Sequence, residues 1–370
     1  MNKVILVSPG YGNGGIRSWT KKILNSFSNE DYSITHISSS RRTALNPNTK
    51  GAMRIIDGLR DLCETFINVR RTLKSDKYAI MHTTTSGGLG TLRDYVLAKY
   101  CKIKGLKTIM HCRYGCIPED YAKRNALGRL LRKTMKLYDQ VWVLDSRSEK
   151  ALKSDPDLKN KVFLTPNSIQ VPDSCNFKPK TYKNIAFVGN LIPSKGLYEL
   201  VEAIVKSADD TMLTIIGPGN ESVVQHIKEI AADKLDSNVK ILGSLPNEEA
   251  VERMKEMDIV ALPTYYQSEA FPISILESMS LGKLVISTPR AAIKDMLTSL
   301  DGSSCGILVR EKSVDDIVKA ITWCQENTTE ADTLCKKAYE KVYTAYRTDV
   351  VYNLYRSLYT KVLLENNPTT

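Results

Sequence analysis

The sequence predicts an α/β protein of two doubly wound domains. Three observations point there. Short apolar, strand-like runs alternate with helical periodicity, a turn-rich stretch interrupts that alternation once, and charge divides unequally about the interruption. A chain of 370 residues suits two domains of ordinary size. With 42% apolar and 25% charged residues it is neither a disordered tail nor a fibre.

The first alternation opens at Val4–Val7, a continuous apolar run closed by Ser8-Pro9-Gly10, as a buried parallel strand should be. Ile16–Phe27 carries apolar residues at helical spacing. Strand-like runs recur at Ser33–Ile37, Tyr78–Met81, Thr108–Met110 and Gln140–Leu144, with helical patterns between them. Such alternation implies parallel βαβ units. Thr165-Pro166-Asn167-Ser168, Val171-Pro172-Asp173-Ser174 and Lys178-Pro179-Lys180 are turn-rich and place the linker. A second alternation follows at Asn184–Val188, Met212–Ile216, Val239–Leu242, Ile259–Leu262 and Leu284–Ser287. The last stretch, Ala331–Leu364, reads as helix throughout. The expected division is 1–170, 171–345 and a C-terminal helix in 346–370 that packs back on the first domain.

Several classes fall away on composition. No apolar run approaches the roughly 18 residues of a membrane-spanning helix. The opening residues lack the apolar core of a signal peptide, so a cytoplasmic location is expected. Eight scattered cysteines predict free thiols. His111, Cys112 and Cys116 lie close together, but without a second close pair they read as buried small residues rather than a metal site.

Gly10-Tyr-Gly12-Asn-Gly14-Gly15 follows a strand, opens a helix and fits G-x-G-x-x-G. Such a loop lets a phosphate approach the backbone at a helix N-terminus. A dinucleotide site would place an acidic residue about 20 positions on. Ser39, Ser40, Arg41 and Arg42 stand there instead, and the arginines would suit the 2′-phosphate of NADP. Phosphate contact and a plain tight turn both fit this motif.

The second half is more specific. A strand ends at Gly189, and Lys195-Gly196 follow at the strand-to-helix junction, where ligands of open parallel sheets bind. Further on, a strand runs into a loop bearing Glu269. Pro272 suits the first turn of a helix, Glu277 lies about one turn along it, and Gly282 ends it. The free N–H groups after Pro272 can receive an anion. Carboxylates beside a phosphate would repel it, so Glu269 and Glu277 should hold hydroxyls, as a sugar and a ribose present them.

The pair Glu269 and Glu277 resembles the signature of the retaining glycosyltransferases of family 4, which have the GT-B fold. Phe187-Val-Gly189-Asn190-Leu-Ile-Pro-Ser-Lys195-Gly196 resembles that family's Gly-Arg-x-x-x-x-Lys-Gly donor-phosphate loop, with Asn190 where the family's arginine stands. Ile216-Gly217-Pro218-Gly219 resembles its Ile-Gly-x-Gly turn and Ile241-Leu242-Gly243 the strand after it. Thr165-Pro166-Asn167 is similar to its linker motif, with Ser168 for the usual Gly. Gly14-Gly15 and His111-Cys-Arg113-Tyr-Gly115 are similar to its Gly-Gly and His-containing loops, and Ala270 stands where Gly is common.

The resemblance implies two Rossmann-like domains facing a cleft and transfer of a hexose-type sugar from a UDP- or GDP-linked donor, without cofactor or metal. It gives Glu277 the ribose, Glu269 the transferred sugar, and Lys195 the charge developing on the leaving diphosphate. Backbone groups at Gly189, Gly217, Phe271, Ile273 and around Pro272 would line the donor, with Gly14 and Gly15 helping from the first domain. His111 would approach the sugar. Arg17 and Arg113 are candidates to replace the arginine missing at Asn190. Read alone, Lys195 is a solvated loop lysine and His111 a satisfied core histidine; the resemblance turns both toward function.

Charge separates the halves. Residues 1–175 hold 30 basic and 15 acidic side chains, whereas 176–370 hold 22 and 26. The stretch Tyr121–Tyr138 spaces Leu127, Leu130, Leu131 and Met135 along one helical face among six basic residues. Met53–Leu73 adds Arg54, Arg60, Arg70 and Arg71 to an apolar periodicity. Basic amphipathic helices suit an anionic membrane surface and equally a core helix with a solvated back. The expectation is a peripheral enzyme on the inner face of the cytoplasmic membrane, extending a glycan or lipid-linked acceptor in polysaccharide or O-antigen assembly. An NADP oxidoreductase accounts only for the first 42 residues. Nucleic acid as a partner is not expected, with 7% aromatic residues and no reader motif.

Overall fold

The computed structural model describes residues 1–11, 15–27, 31–40, 52–175, 177 and 180–365. The chain divides into two compact units, residues 1–167 with 352–370, and residues 168–351.

In the first unit the order is β1 (Asn2–Ser8), α1 (Gly15–Ser26), β2 (Tyr32–Ser38), α2 (Ala52–Ser75), β3 (Ile80–Thr85), α3 (Gly90–Ile103), β4 (Lys107–Cys112), α4 (Ile117–Ala122), α5 (Ala126–Leu137), β5 (Gln140–Val143), α6 (Ser146–Lys153) and β6 (Val162–Leu164). The strands form one parallel sheet in the order β2-β1-β3-β4-β5-β6. Parallel sheets are covered on both faces, and the two coverings differ. One is aliphatic, with Met81, Met110, Val141 and Val143 packed among Leu97, Ala98, Leu131 and Met135. The other is aromatic. His82, His111 and Trp142 lie on β3, β4 and β5 and meet Trp19 of α1 and Tyr355 and Tyr359 near the C-terminus.

The second unit runs β7 (Asn184–Val188), α7 (Leu197–Lys206), β8 (Met212–Ile216), α8 (Glu221–Ala231), β9 (Val239–Gly243), α9 (Asn247–Lys255), β10 (Ile259–Leu262), α10 (Ile273–Ser280), β11 (Leu284–Ser287), α11 (Ile293–Met296), β12 (Ile307–Leu308), α12 (Val314–Glu326) and α13 (Thr328–Lys341). Its parallel sheet reads β9-β8-β7-β10-β11-β12, the 3-2-1-4-5-6 order of a Rossmann sheet. The order reverses between β7 and β10. Ligands of open α/β sheets bind at that crevice, outside the carboxyl ends of the strands.

Two expectations are corrected. The helix expected over Ala331–Leu364 is broken: α13 gives way to a π-helical turn at Val342–Tyr346, Arg347 is extended, and α14 (Thr348–Leu364) starts afresh. Backbone bonds explain the break. Ile169 N–H donates to the Tyr346 carbonyl at 2.9 Å, and Thr348 N–H donates to the Ile169 carbonyl at 3.0 Å. The strands expected at Tyr78–Met81 and Thr108–Met110 extend to Thr85 and Cys112, because the β-branched threonines and His111 are themselves buried ladder residues. Among the described residues no helix is long and apolar enough to cross a membrane.

Candidate functional site

The carboxyl edge of the second sheet gathers most of the predicted residues. β7 ends at Gly189 (φ +150°) and β8 at Gly217 (φ +147°). Gly217 N–H donates to the Gly243 carbonyl at 2.7 Å and Gly189 N–H to the Ile216 carbonyl at 3.0 Å. The two loops approach so closely that a Cβ on Gly217 would lie 1.9 Å from the Gly189 carbonyl oxygen. Only glycine fits, and the backbone there stays bare.

From Gly189 the chain turns through a 3₁₀ segment, Pro193–Lys195, into Gly196 at φ +74°. A Cβ at Gly196 would strike the Pro263 carbonyl. Tyr265 N–H donates to the Ser194 carbonyl at 2.8 Å, which ties this turn to the loop after β10. The result spans the strand-order reversal: Lys195 Nζ stands 3.2 Å from Glu269 Oε2, with both side chains largely buried. Oε2 itself is buried and receives no hydrogen bond. Glu269 is thus held by charge while keeping an acceptor for a hydroxyl donor.

Beyond Glu269, Phe271 is buried and packs edge-on against Tyr346, with ring centroids 5.3 Å apart. Pro272 precedes α10 without a side-chain cap, so the amides from Ile273 onward open that helix uncapped. Glu277 is buried within the same helix. Gly282, at φ +63°, closes it against Cys175 and Phe177. Asn190 is exposed.

Sequence reasoning missed three neighbours. Glu199, in the first turn of α7, has its Oε2 buried without a hydrogen-bond partner. Burial, and then the charge of Glu199, holds the Tyr265 phenol above its usual range. Arg290 lies beyond β11, and its Nε donates to the Tyr266 carbonyl at 3.3 Å, while its NH1 pairs with Glu311 at 3.3 Å. An acid one turn after Lys195-Gly196 and an arginine just past the next strand end were the available signals.

The first-unit candidates sit differently. His111 lies inside β4 rather than in a loop after it, and it is fully buried. Arg113, the first residue beyond β4, places NH1 3.2 Å from His111 Nε2. A guanidinium can only donate, so His111 carries its proton on Nδ1 and donates to His82 Nε2 at 3.3 Å; His82 then donates to Tyr359 Oη at 2.6 Å. Burial, with Arg113 adding to it, pushes His82 down to about 3 and His111 well below its ordinary value. Arg113 is 6% exposed, stacks 4.3 Å over Trp19 and donates to Asn167. Burial lowers it to about 10, it has no carboxylate partner among the described residues, and its Nε has no hydrogen-bond partner. Arg17 is exposed on α1 and Gly15 begins that helix; Gly14, with Arg41 and Arg42, lies outside the described residues. The Gly10 and Tyr11 amides, which a bound phosphate would need, each donate to Ser40 Oγ at 2.9 Å.

All eight cysteines are free. Among the described residues no group of three or more His, Cys, Asp or Glu could hold a metal ion. The Asp-x-Asp at Asp155-Pro156-Asp157 is occupied by Lys136 Nζ, at 2.9 and 2.8 Å.

Residues 174–341 match the family model described as glycosyl transferases group 1. Among curated proteins, an uncharacterized glycosyltransferase of Methanocaldococcus jannaschii is 26% identical over 154 residues, covering 40% of this chain and 38% of its own. One component of the phosphatidylinositol N-acetylglucosaminyltransferase of Arabidopsis thaliana is 24% identical over 317 residues, covering 80% of this chain and 66% of its own. The matches therefore span from about two fifths to two thirds of those relatives' lengths. Among solved structures, Anabaena HepE in complex with UDP superposes with a TM-score of 0.72 at 15% identity, over 98% of this chain and all of that one. At that identity the likeness is one of fold, the α/β fold of GT-B glycosyltransferases.

Proposed function

We propose that this chain, whose residues 174–341 match the family model of the group 1 glycosyl transferases, is a retaining, metal-independent transferase. It moves a hexose-type sugar from a UDP- or GDP-linked donor to a glycan or lipid-linked acceptor in polysaccharide or O-antigen assembly. The observation that carries this is the Lys195–Glu269 pair at the strand-order reversal, 3.2 Å apart, whose buried Oε2 is ion-paired but has no hydrogen bond. Glu269 receives a sugar hydroxyl, Glu277 the ribose, and the bare backbone at Gly189 and Gly217 admits the diphosphate.

Chemistry follows from charge. As the bond between the anomeric carbon and the diphosphate oxygen breaks, the sugar becomes oxocarbenium-like and negative charge grows on the phosphate. Lys195 and the uncapped α10 amides meet that charge in a partly buried setting, where fixed dipoles act strongly. Arg290 adds a cation on the far side of the 264–269 loop and stands in for the arginine absent at Asn190. The acceptor hydroxyl attacks on the face the diphosphate leaves, its proton passes to the departing phosphate oxygen, and a nucleoside diphosphate is released. No cofactor or divalent ion is needed in this scheme.

Of the first-unit candidates, Arg113 suits an anion better than His111 suits a sugar. It keeps its charge at neutral pH and has an unused donor, whereas both His111 nitrogens are engaged. The UDP in HepE and the phosphatidylinositol in the name of the Arabidopsis relative support a nucleotide donor and a lipid-linked acceptor. A cytoplasmic enzyme peripheral to an anionic membrane fits the basic excess of residues 1–175.

A thermal-shift panel of UDP, GDP and their sugars tests the donor site. A nucleotide should raise the melting temperature of the native protein and do so markedly less for Glu277→Ala. No response from the native protein, or an equal one from the variant, would overturn the assignment.

A further inference from the structure

A groove of about 490 Å³ opens at the carboxyl edge of the first sheet, and none of the roles above uses it. Its volume falls in the range of small-molecule sites. One wall is α2, through Leu59, Leu62 and Thr65; another is the Ser86–Gly90 loop with Leu92 of α3. Ser39, the first residue past β2, completes it. With β1 between β2 and β3, the groove lies at the strand ends where a doubly wound sheet receives ligands.

Its walls are apolar and open to solvent. Leu59 is 52% exposed, Leu89 73% and Leu92 41%. Large side chains clustered on one exposed groove mark a surface that something covers. A sugar finds few partners on such walls, whereas an acyl or isoprenoid chain buries them.

The end of the groove has a different chemistry. Ser86-Gly87-Gly88-Leu89-Gly90 leads from β3 into α3, with Gly87 at φ +74° and Gly88 at φ +63°. A Cβ on Gly87 would meet the Tyr114 ring at 2.8 Å, so this turn demands glycine. The fourteen-residue α3 begins without a side-chain cap. Thr91 and Leu92 N–H turn back to the Gly88 and Leu89 carbonyls and Gly87 N–H donates to Thr85 Oγ1, so the amides offered to an anion are those of Gly88, Leu89 and Gly90. Ser39 points independently to a ligand: it is 6% exposed and its Oγ has no hydrogen-bond partner. Asp61 and Arg93 also line the groove, one of each sign, and Arg93 is held by Asp94 and the Thr84 carbonyl. Preference for an anion therefore comes from the loop amides and from the surrounding half-chain, with its 30 basic against 15 acidic residues.

We propose that this groove seats a lipid phosphate, with its hydrocarbon chain along α2 and Leu92 and its phosphate at the Ser86–Gly90 loop and the α3 N-terminus. The inference rests on the lipid-linked acceptor of the preceding reading and names where that lipid sits. The exposed leucines account for the chain, and the Gly88–Gly90 amides with the unpartnered Ser39 hydroxyl account for the phosphate.

Farnesyl phosphate is a soluble probe of this chemistry, with farnesol and inorganic phosphate as its separate halves. The native protein should bind farnesyl phosphate saturably, farnesol at least tenfold more weakly, and inorganic phosphate weaker still. Leu59→Glu with Leu92→Glu, both at exposed positions, should weaken farnesyl phosphate at least tenfold while the nucleotide-induced melting shift stays as in the native protein. The proposal is overturned if a protein that responds to nucleotide binds no farnesyl phosphate, if the double variant binds it as the native protein does, or if either half alone binds as tightly as the whole. Should farnesyl phosphate bind as expected while no nucleotide shifts the melting temperature, the donor assignment falls and the groove stands.

Discussion

At the edge of the second sheet the polar groups are charged and only partly satisfied, whereas the first sheet buries neutral histidines in a closed relay and leaves its open edge apolar. Glu269 keeps a buried oxygen without a donor beside Lys195. His82 and His111, equally buried, spend both ring nitrogens on neighbours. Burial alone therefore does not mark a functional group. What separates Glu269 from the two histidines is whether the hydrogen-bonding capacity is exhausted. A closed relay holds a fold together, while an open acceptor waits for a partner.

The sharpest way to break the comparison is through the second sheet's backbone. Gly217→Ala forces a Cβ against the Gly189 carbonyl, and it should cost several kcal/mol or prevent the second unit from folding, read as a large fall in melting temperature. Next comes charge. Lys195→Ala should cut transfer by roughly 10²–10³-fold, the scale of one lost charge stabiliser, seen as slower nucleoside diphosphate release. It should also lower the melting temperature, because the buried Glu269 carboxylate loses its counter-charge.

The smallest effect sharpens the first-unit side. Its histidines are held below their ordinary value, so the unfolded chain binds protons that the folded chain refuses. Stability is then complete above about pH 6.5 and declines as pH falls toward about 3. Thermal unfolding followed between pH 7 and 4 checks the sign. A melting temperature that rises on acidification would contradict the neutral relay.

Much of the fold was legible. In the second half, four of the predicted strands coincide with β7, β8, β10 and β11, because largely buried parallel strands are written as mostly apolar runs. The short edge strands β6 and β12 were not, since two or three residues carry no periodicity. In β3 and β4 the buried ladder includes histidine and threonine, which a search for apolar runs cuts short, and this put His111 in a loop. Within the site, glycine and glutamate spacing exposed Gly189, Lys195, Glu269 and Glu277. Glu199 escaped because an acid in a helix's first turn reads as an ordinary dipole partner, and Arg290 because it reaches the Tyr266 carbonyl only through the end of a later strand.

The break at Arg347 carries a consequence for biogenesis. Residues 352–370 belong to the first unit, where Tyr355 and Tyr359 cover His82, His111 and Trp142. Domains otherwise fold in order of synthesis. Here Trp19 can cover the aromatic face of the first sheet early, but the part that Tyr355 and Tyr359 cover waits until the second unit has been translated. Tyrosines translated after the second unit complete the sheet translated before it.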